Sequence, residues 1–108
     1  MPRAELQIAE IPYNVPFRLE HEDLNIVIVR TDRGISAFED VCPHAFWPLS
    51  DGCVRDGLIE CPGHAWEFDV ANGKCLTAPA YALTRIESRI VGETLHLEWR
   101  EKVRAVNG

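Results

Sequence analysis

Two short stretches of the chain offer ligands for a transition metal, Cys42-Pro43-His44 and Cys61-Pro62-Gly63-His64. Thiolate and imidazole bind iron, zinc and copper, and each stretch supplies one donor of each kind. Sixteen residues separate His44 from Cys61, so the pattern is C-x-H, a spacer, then C-x-x-H. Two such turns lying side by side would set the cysteines on one side and the histidines on the other.

That segregation suits a [2Fe-2S] rhombus with unlike irons, one bound by Cys42 and Cys61 and the other by His44 and His64. Ferric ions, sulfides and thiolates then sum to zero charge in the oxidised state. Thiolates in place of the imidazoles would make the cluster doubly negative, so histidine ligation raises the reduction potential. Structural zinc remains the alternative, because two cysteines and two histidines form a good tetrahedral set. The mixed C-x-H pair is nevertheless unusual for zinc fingers, which join C-x(2-4)-C to H-x(3-5)-H.

The segments that must position these turns read as short β-strands. Strands are expected over 6–11, 17–20, 24–30, 35–38, 53–54, 58–60, 66–70, 74–76, 83–91 and 94–100. Turn signals separate them: the prolines around Asn14, then Asp51-Gly52, Asp56-Gly57 and Asn72-Gly73. Ile26-Val27-Ile28-Val29 has the β-branched character of a strand buried on both faces. Leu95, Leu97 and Trp99 alternate with polar residues as a one-sided strand would. Residues 101–108 are polar and expected to fray.

Among the other candidate residues, Cys53 and Cys75 are expected to pack as small buried hydrophobes. His21 and His96 read as solvated surface residues. Trp47 and Trp66 flank the ligand turns as packing that excludes water, and Trp99 reads as core.

The 108 residues make one domain, with 17 acidic residues against 11 basic ones. A net charge of -6 argues against nucleic acid as a partner and permits a basic protein. No apolar run has the length of a membrane span or signal peptide, so a cytoplasmic protein is expected. In a reducing compartment, metal ligation is favoured over disulfides for the four cysteines.

The stretch from Cys42 to Pro79, CPHAFWPLSDGCVRDGLIECPGHAWEFDVANGKCLTAP, resembles the cluster-binding region of Rieske proteins. It is most similar to the ferredoxins of bacterial ring-hydroxylating dioxygenases. The resemblance implies an all-β, Rieske-like sandwich of small antiparallel sheets. A base of residues 1–40 and 80–108 would carry an inserted cluster-binding subdomain, 41–79. It implies Cys42 and Cys61 on a buried iron, and His44 and His64, through Nδ1, on an iron nearer solvent. The segment around Pro79 would form a third covering loop.

Respiratory Rieske proteins clamp the cluster loops with a disulfide, where this chain has Trp47 and Gly63. They also place Ser and Tyr hydroxyls near the cluster, where this chain has Trp66 and Phe68. Fewer hydrogen bonds to sulfur predict a potential toward the low end of roughly -150 to +300 mV.

The function implied is that of a monomeric one-electron carrier without catalytic residues. It would pass electrons from an NAD(P)H-dependent flavoprotein ferredoxin reductase to a terminal oxygenase acting on an aromatic compound. The alternative is a small subunit or domain of a larger reductase, such as assimilatory nitrite reductase.

Overall fold

The computed structural model describes residues 2–22 and 24–100. Asp23, in the acidic turn after residue 20, and the tail expected to fray lie outside the described residues.

Among the described residues, nine strands form three antiparallel sheets. The strands are β1 (Arg3–Gln7), β2 (Phe17–Glu20), β3 (Asn25–Thr31), β4 (Gly34–Glu39), β5 (Cys53–Arg55), β6 (Leu58–Glu60), β7 (Glu67–Asp69), β8 (Glu87–Val91) and β9 (Thr94–Glu98). The sheets run β1-β9-β8, β2-β3-β4 and β5-β6-β7. The first unites the two ends of the chain, and the last lies wholly between the two Cys-His turns or just after them. The all-β class therefore holds, with small antiparallel sheets.

Strand β3 explains why a β-branched run was needed. Val27 and Val29 enter a core with Cys42, Leu49, Val54, Ile59, Cys61 and Phe68. Ile26 and Ile28 enter a second core with Ile11, Leu95, Leu97 and Trp99. Successive side chains of a strand point to opposite faces, so β3 serves both cores at once. One core lies under the ligand turns and the other under β9.

Several strand expectations need correction. The first strand is not 6–11 but ends at Gln7, and Ile8–Glu10 is a 3-10 turn. Arg30 causes the change: its Nη1 donates to the carbonyls of Ile8 and Ile11 at 2.9 and 3.0 Å, and its guanidinium lies over the Tyr13 ring. Residues 74–76 pair back only through single bridges, Phe68 with Cys75 and Lys74 with Ala82. The expected strand 83–91 is regular only over β8. Upstream, Leu83 joins the ligand-side core while Ile86 joins the other, so this segment crosses between them. The last strand ends at Glu98, although Trp99 continues its buried face.

Candidate metal centre

The two ligand turns are built on one frame. In the first, the Cys42 N–H donates to the Trp47 carbonyl and the Phe46 N–H to the Cys42 carbonyl, both at 2.8 Å. In the second, the Cys61 N–H donates to the Trp66 carbonyl at 2.8 Å and the Ala65 N–H to the Cys61 carbonyl at 3.0 Å. The residue before each tryptophan is left-handed, with φ of 60° at Phe46 and 56° at Ala65. A proline follows each cysteine and fixes φ at the start of the turn. The frames coincide, but His44 follows its cysteine by two residues and His64 by three.

Cys42 and Cys61 are buried at 0% and 1% exposure, against the ligand-side core. Burial pushes the Cys42 thiol above its ordinary 9.0, with the Cys61 thiol beside it working in the same direction. The backbone N–H groups of His44 and Ala45 oppose this, since they stabilise a charged sulfur. The Cys42 thiol thus holds its proton more firmly, while backbone donors that favour thiolate are already in place.

His44 and His64 are exposed, with ring centroids 4.5 Å apart and planes at 87°. Trp66 stacks on His44 at 4.0 Å and 22°, and Tyr81 meets Trp66 edge-on at 5.2 Å. On the other side, the Trp47 indole lies where a Cβ on Gly63 would be. Gly63 is not in the left-handed region, so glycine is required there for contact rather than for backbone freedom.

The four expected ligands therefore gather by type, two thiols within and two imidazoles without. Among the described residues, no three or more His, Cys, Asp and Glu side chains close on a point suited to one metal ion. A binuclear cluster asks for a different arrangement, two donors at each end, and the donor set here fits it.

A second set of residues closes the first turn, and sequence reasoning missed its key member. Asp40, with its side chain fully buried, accepts the Ser50 N–H at 2.8 Å and the Ser50 hydroxyl at 2.6 Å. Arg18 Nε lies 3.6 Å from the same carboxylate. The available signal was an acidic residue just after the strand of Ala37 and Phe38, facing the Leu49-Ser50-Asp51-Gly52 turn. Gly52 then passes so close to the Glu60 carbonyl that any Cβ would collide with it.

Cys75 is buried as expected, and the Ala78 N–H donates to its sulfur at 3.2 Å. Its own N–H donates to the Tyr81 carbonyl at 3.1 Å, which folds 75–81 back toward Trp66. Cys53, by contrast, is exposed, with its sulfur 3.6 Å from the Glu60 carboxylate. Val54 faces the core, so strand alternation turns Cys53 outward. His21 is also not simply solvated, because its ring packs edge-on against Trp99 at 4.9 Å. His96 is half-buried, with Nδ1 3.8 Å from the Glu5 carboxylate. None of the described clefts is lined by the four candidate ligands.

Comparison with known proteins gives a consistent picture. The family model "Rieske [2Fe-2S] domain" matches residues 3–88. The chain is 39% identical over 70 residues to Protein TIC 55, chloroplastic, of Pisum sativum, covering 64% of this chain and only 12% of that protein. It spans 12–17% of the first four such relatives. It is 32% identical over 73 residues to the biphenyl dioxygenase ferredoxin subunit of Pseudomonas sp. (strain KKS102), covering 67% of each.

Among solved structures, the ferredoxin of carbazole 1,9a-dioxygenase from Nocardioides aromaticivorans IC177 superposes with a TM-score of 0.77 at 21% identity, covering 85% of this chain and 91% of that one. An NADH-dependent nitrite reductase small subunit from Mycobacterium tuberculosis gives 0.75 at 17% identity, covering 90% and 96%. At these identities the superpositions establish the fold alone.

Proposed function

The chain belongs to the Rieske [2Fe-2S] domain family, and from that premise we propose that it is a one-electron carrier with Cys42, His44, Cys61 and His64 as cluster ligands. Its cofactor is a Rieske-type [2Fe-2S] cluster, which supplies one reversible electron. The observation that carries the assignment is the sorting of donors: two buried thiols beside an apolar core, and two exposed imidazoles that meet solvent.

In this reading Cys42 and Cys61 hold the inner iron and His44 and His64, through Nδ1, the outer one. The exposed imidazole edges shorten the path to a partner. Trp66 and Phe68 bring no hydroxyl to the sulfurs, which keeps the potential low. The chain is one domain, 1–108, with a base of 1–40 and 80–108 and a cluster-binding subdomain of 41–79. It works in the cytoplasm as a monomer, taking electrons from an NAD(P)H-dependent flavin reductase. It delivers them to a terminal Rieske oxygenase acting on an aromatic compound.

The purified protein should be red-brown and, when reduced, give a rhombic EPR signal. Its midpoint should fall in the lower part of roughly -150 to +300 mV. A colourless protein containing zinc would sink the proposal, and a strongly positive midpoint would remove the hydroxyl argument. The likeness to a nitrite reductase small subunit favours a second reading, a tightly held reductase subunit. Co-purification in constant ratio with a large partner would select it.

A further inference from the structure

We propose that Trp47 and Trp66 are positioning residues that clasp the two ligand turns reciprocally and set the ring plane of His44. The inference rests on the reading of His44 and His64 as ligands. Each tryptophan closes its own turn with its backbone carbonyl, which accepts the cysteine N–H. Each indole then crosses to the other turn, Trp47 onto Gly63 and Trp66 onto His44. Separating the turns must break both contacts.

Burial alone does not account for Trp47, which remains 48% exposed beside the still more exposed tip residue Phe46 at 79%. Its packing partner is specific, because Gly63 has ordinary backbone geometry yet no room for a methyl group. Trp66 performs a second task. Its near-parallel stack covers one face of His44, and Tyr81 braces the indole from its edge. Rotation of the His44 ring would have to displace Trp66. Groups that fix the ring orientation of a metal-bound histidine tune the metal as well as hold it. The two histidines are thereby made unequal, since this stack is on His44 while His64 meets His44 at a right angle.

The test uses purified holoprotein with three readouts: the reduced EPR g-values, the rate of iron release to a chelator, and the melting temperature. Trp66→Leu should shift the g-values and speed iron release by about tenfold, the lower end of the effect of losing such an orienting group. Trp66→Phe, which keeps a flat ring over His44, should restore the spectrum although it also loses indole volume. Trp47→Ala and Gly63→Ala should each speed release, and the double variant should release iron no faster than the worse single one, because both remove one contact. Trp47→Phe serves in place of Trp47→Ala if the latter does not fold.

Unchanged g-values in Trp66→Leu, or additive release rates in the double variant, would overturn the clasp while leaving the cluster assignment intact. A wild-type protein without a rhombic signal would instead overturn the ligand reading itself.

Discussion

At the scale of single residues, the strongest conflict is at Cys42, where a candidate thiolate ligand is buried in an apolar core. Its raised pKa in the metal-free protein has burial as the main cause and the Cys61 thiol as a lesser one. A group whose folded pKa is raised stabilises the fold fully below its unfolded value and loses that contribution as pH rises through the folded one. The metal-free protein should therefore melt at progressively lower temperature as pH climbs past 9.0. Thermal scans from neutral to strongly alkaline pH should show a shallower decline in metal-free Cys42→Ser, and parallel curves would refute the account. The two Cys-His turns, which bring Cys42 to Cys61 and His44 to His64, were legible because residue type and spacing are local to the sequence. Cys53 was misread because its exposure is decided by strand alternation against Val54, and His21 because its ring partner, Trp99, is 78 positions away.

At the scale of elements, the first ligand turn depends on a tether between the end of β4 and the 3-10 turn Leu49–Asp51. Asp40 supplies it by accepting two hydrogen bonds from Ser50 without exposure to water. Charge-assisted bonds of this kind contribute more than neutral ones, so Asp40→Asn should destabilise the fold by about 2 kcal/mol. Ser50→Ala should cost less, because the backbone donor survives. Denaturant titration of both variants checks the order, and equal losses would show that the hydroxyl bond carries the tether. Sequence signals found β2 to β7 well, where Asp-Gly and Gly turns bound short apolar runs. At Asp56-Gly57, both residues are left-handed, as a two-residue hairpin turn requires. The ends of β1 and β8 were not legible, since Arg30 captures distant carbonyls in one case and two cores divide Leu83 from Ile86 in the other.

At the scale of the whole molecule, β3 couples the ligand turns to the sheet made from both chain ends, because one strand lines both cores. The chain also carries a net charge of -6. Such a field should speed encounter with cationic electron acceptors and slow anionic ones, over a range set by ionic strength. Oxidation of the reduced protein by hexaammineruthenium(III) should thus slow as salt is added, while oxidation by ferricyanide should quicken. Rates indifferent to salt would mean that the charge does not reach the electron's exit. The sign of this field was plain from composition, whereas the two-core plan was only hinted at by Ile26-Val27-Ile28-Val29.

The crossed indoles of Trp47 and Trp66 bear on how the centre is assembled. A covalent bridge between the turns would have to be oxidised after metal entry or reduced before repair. The contacts of Trp47 with Gly63 and of Trp66 with His44 are non-covalent and involve no redox step. If the turns hold a cluster as proposed, loading or replacing it would call for no thiol-disulfide exchange between them.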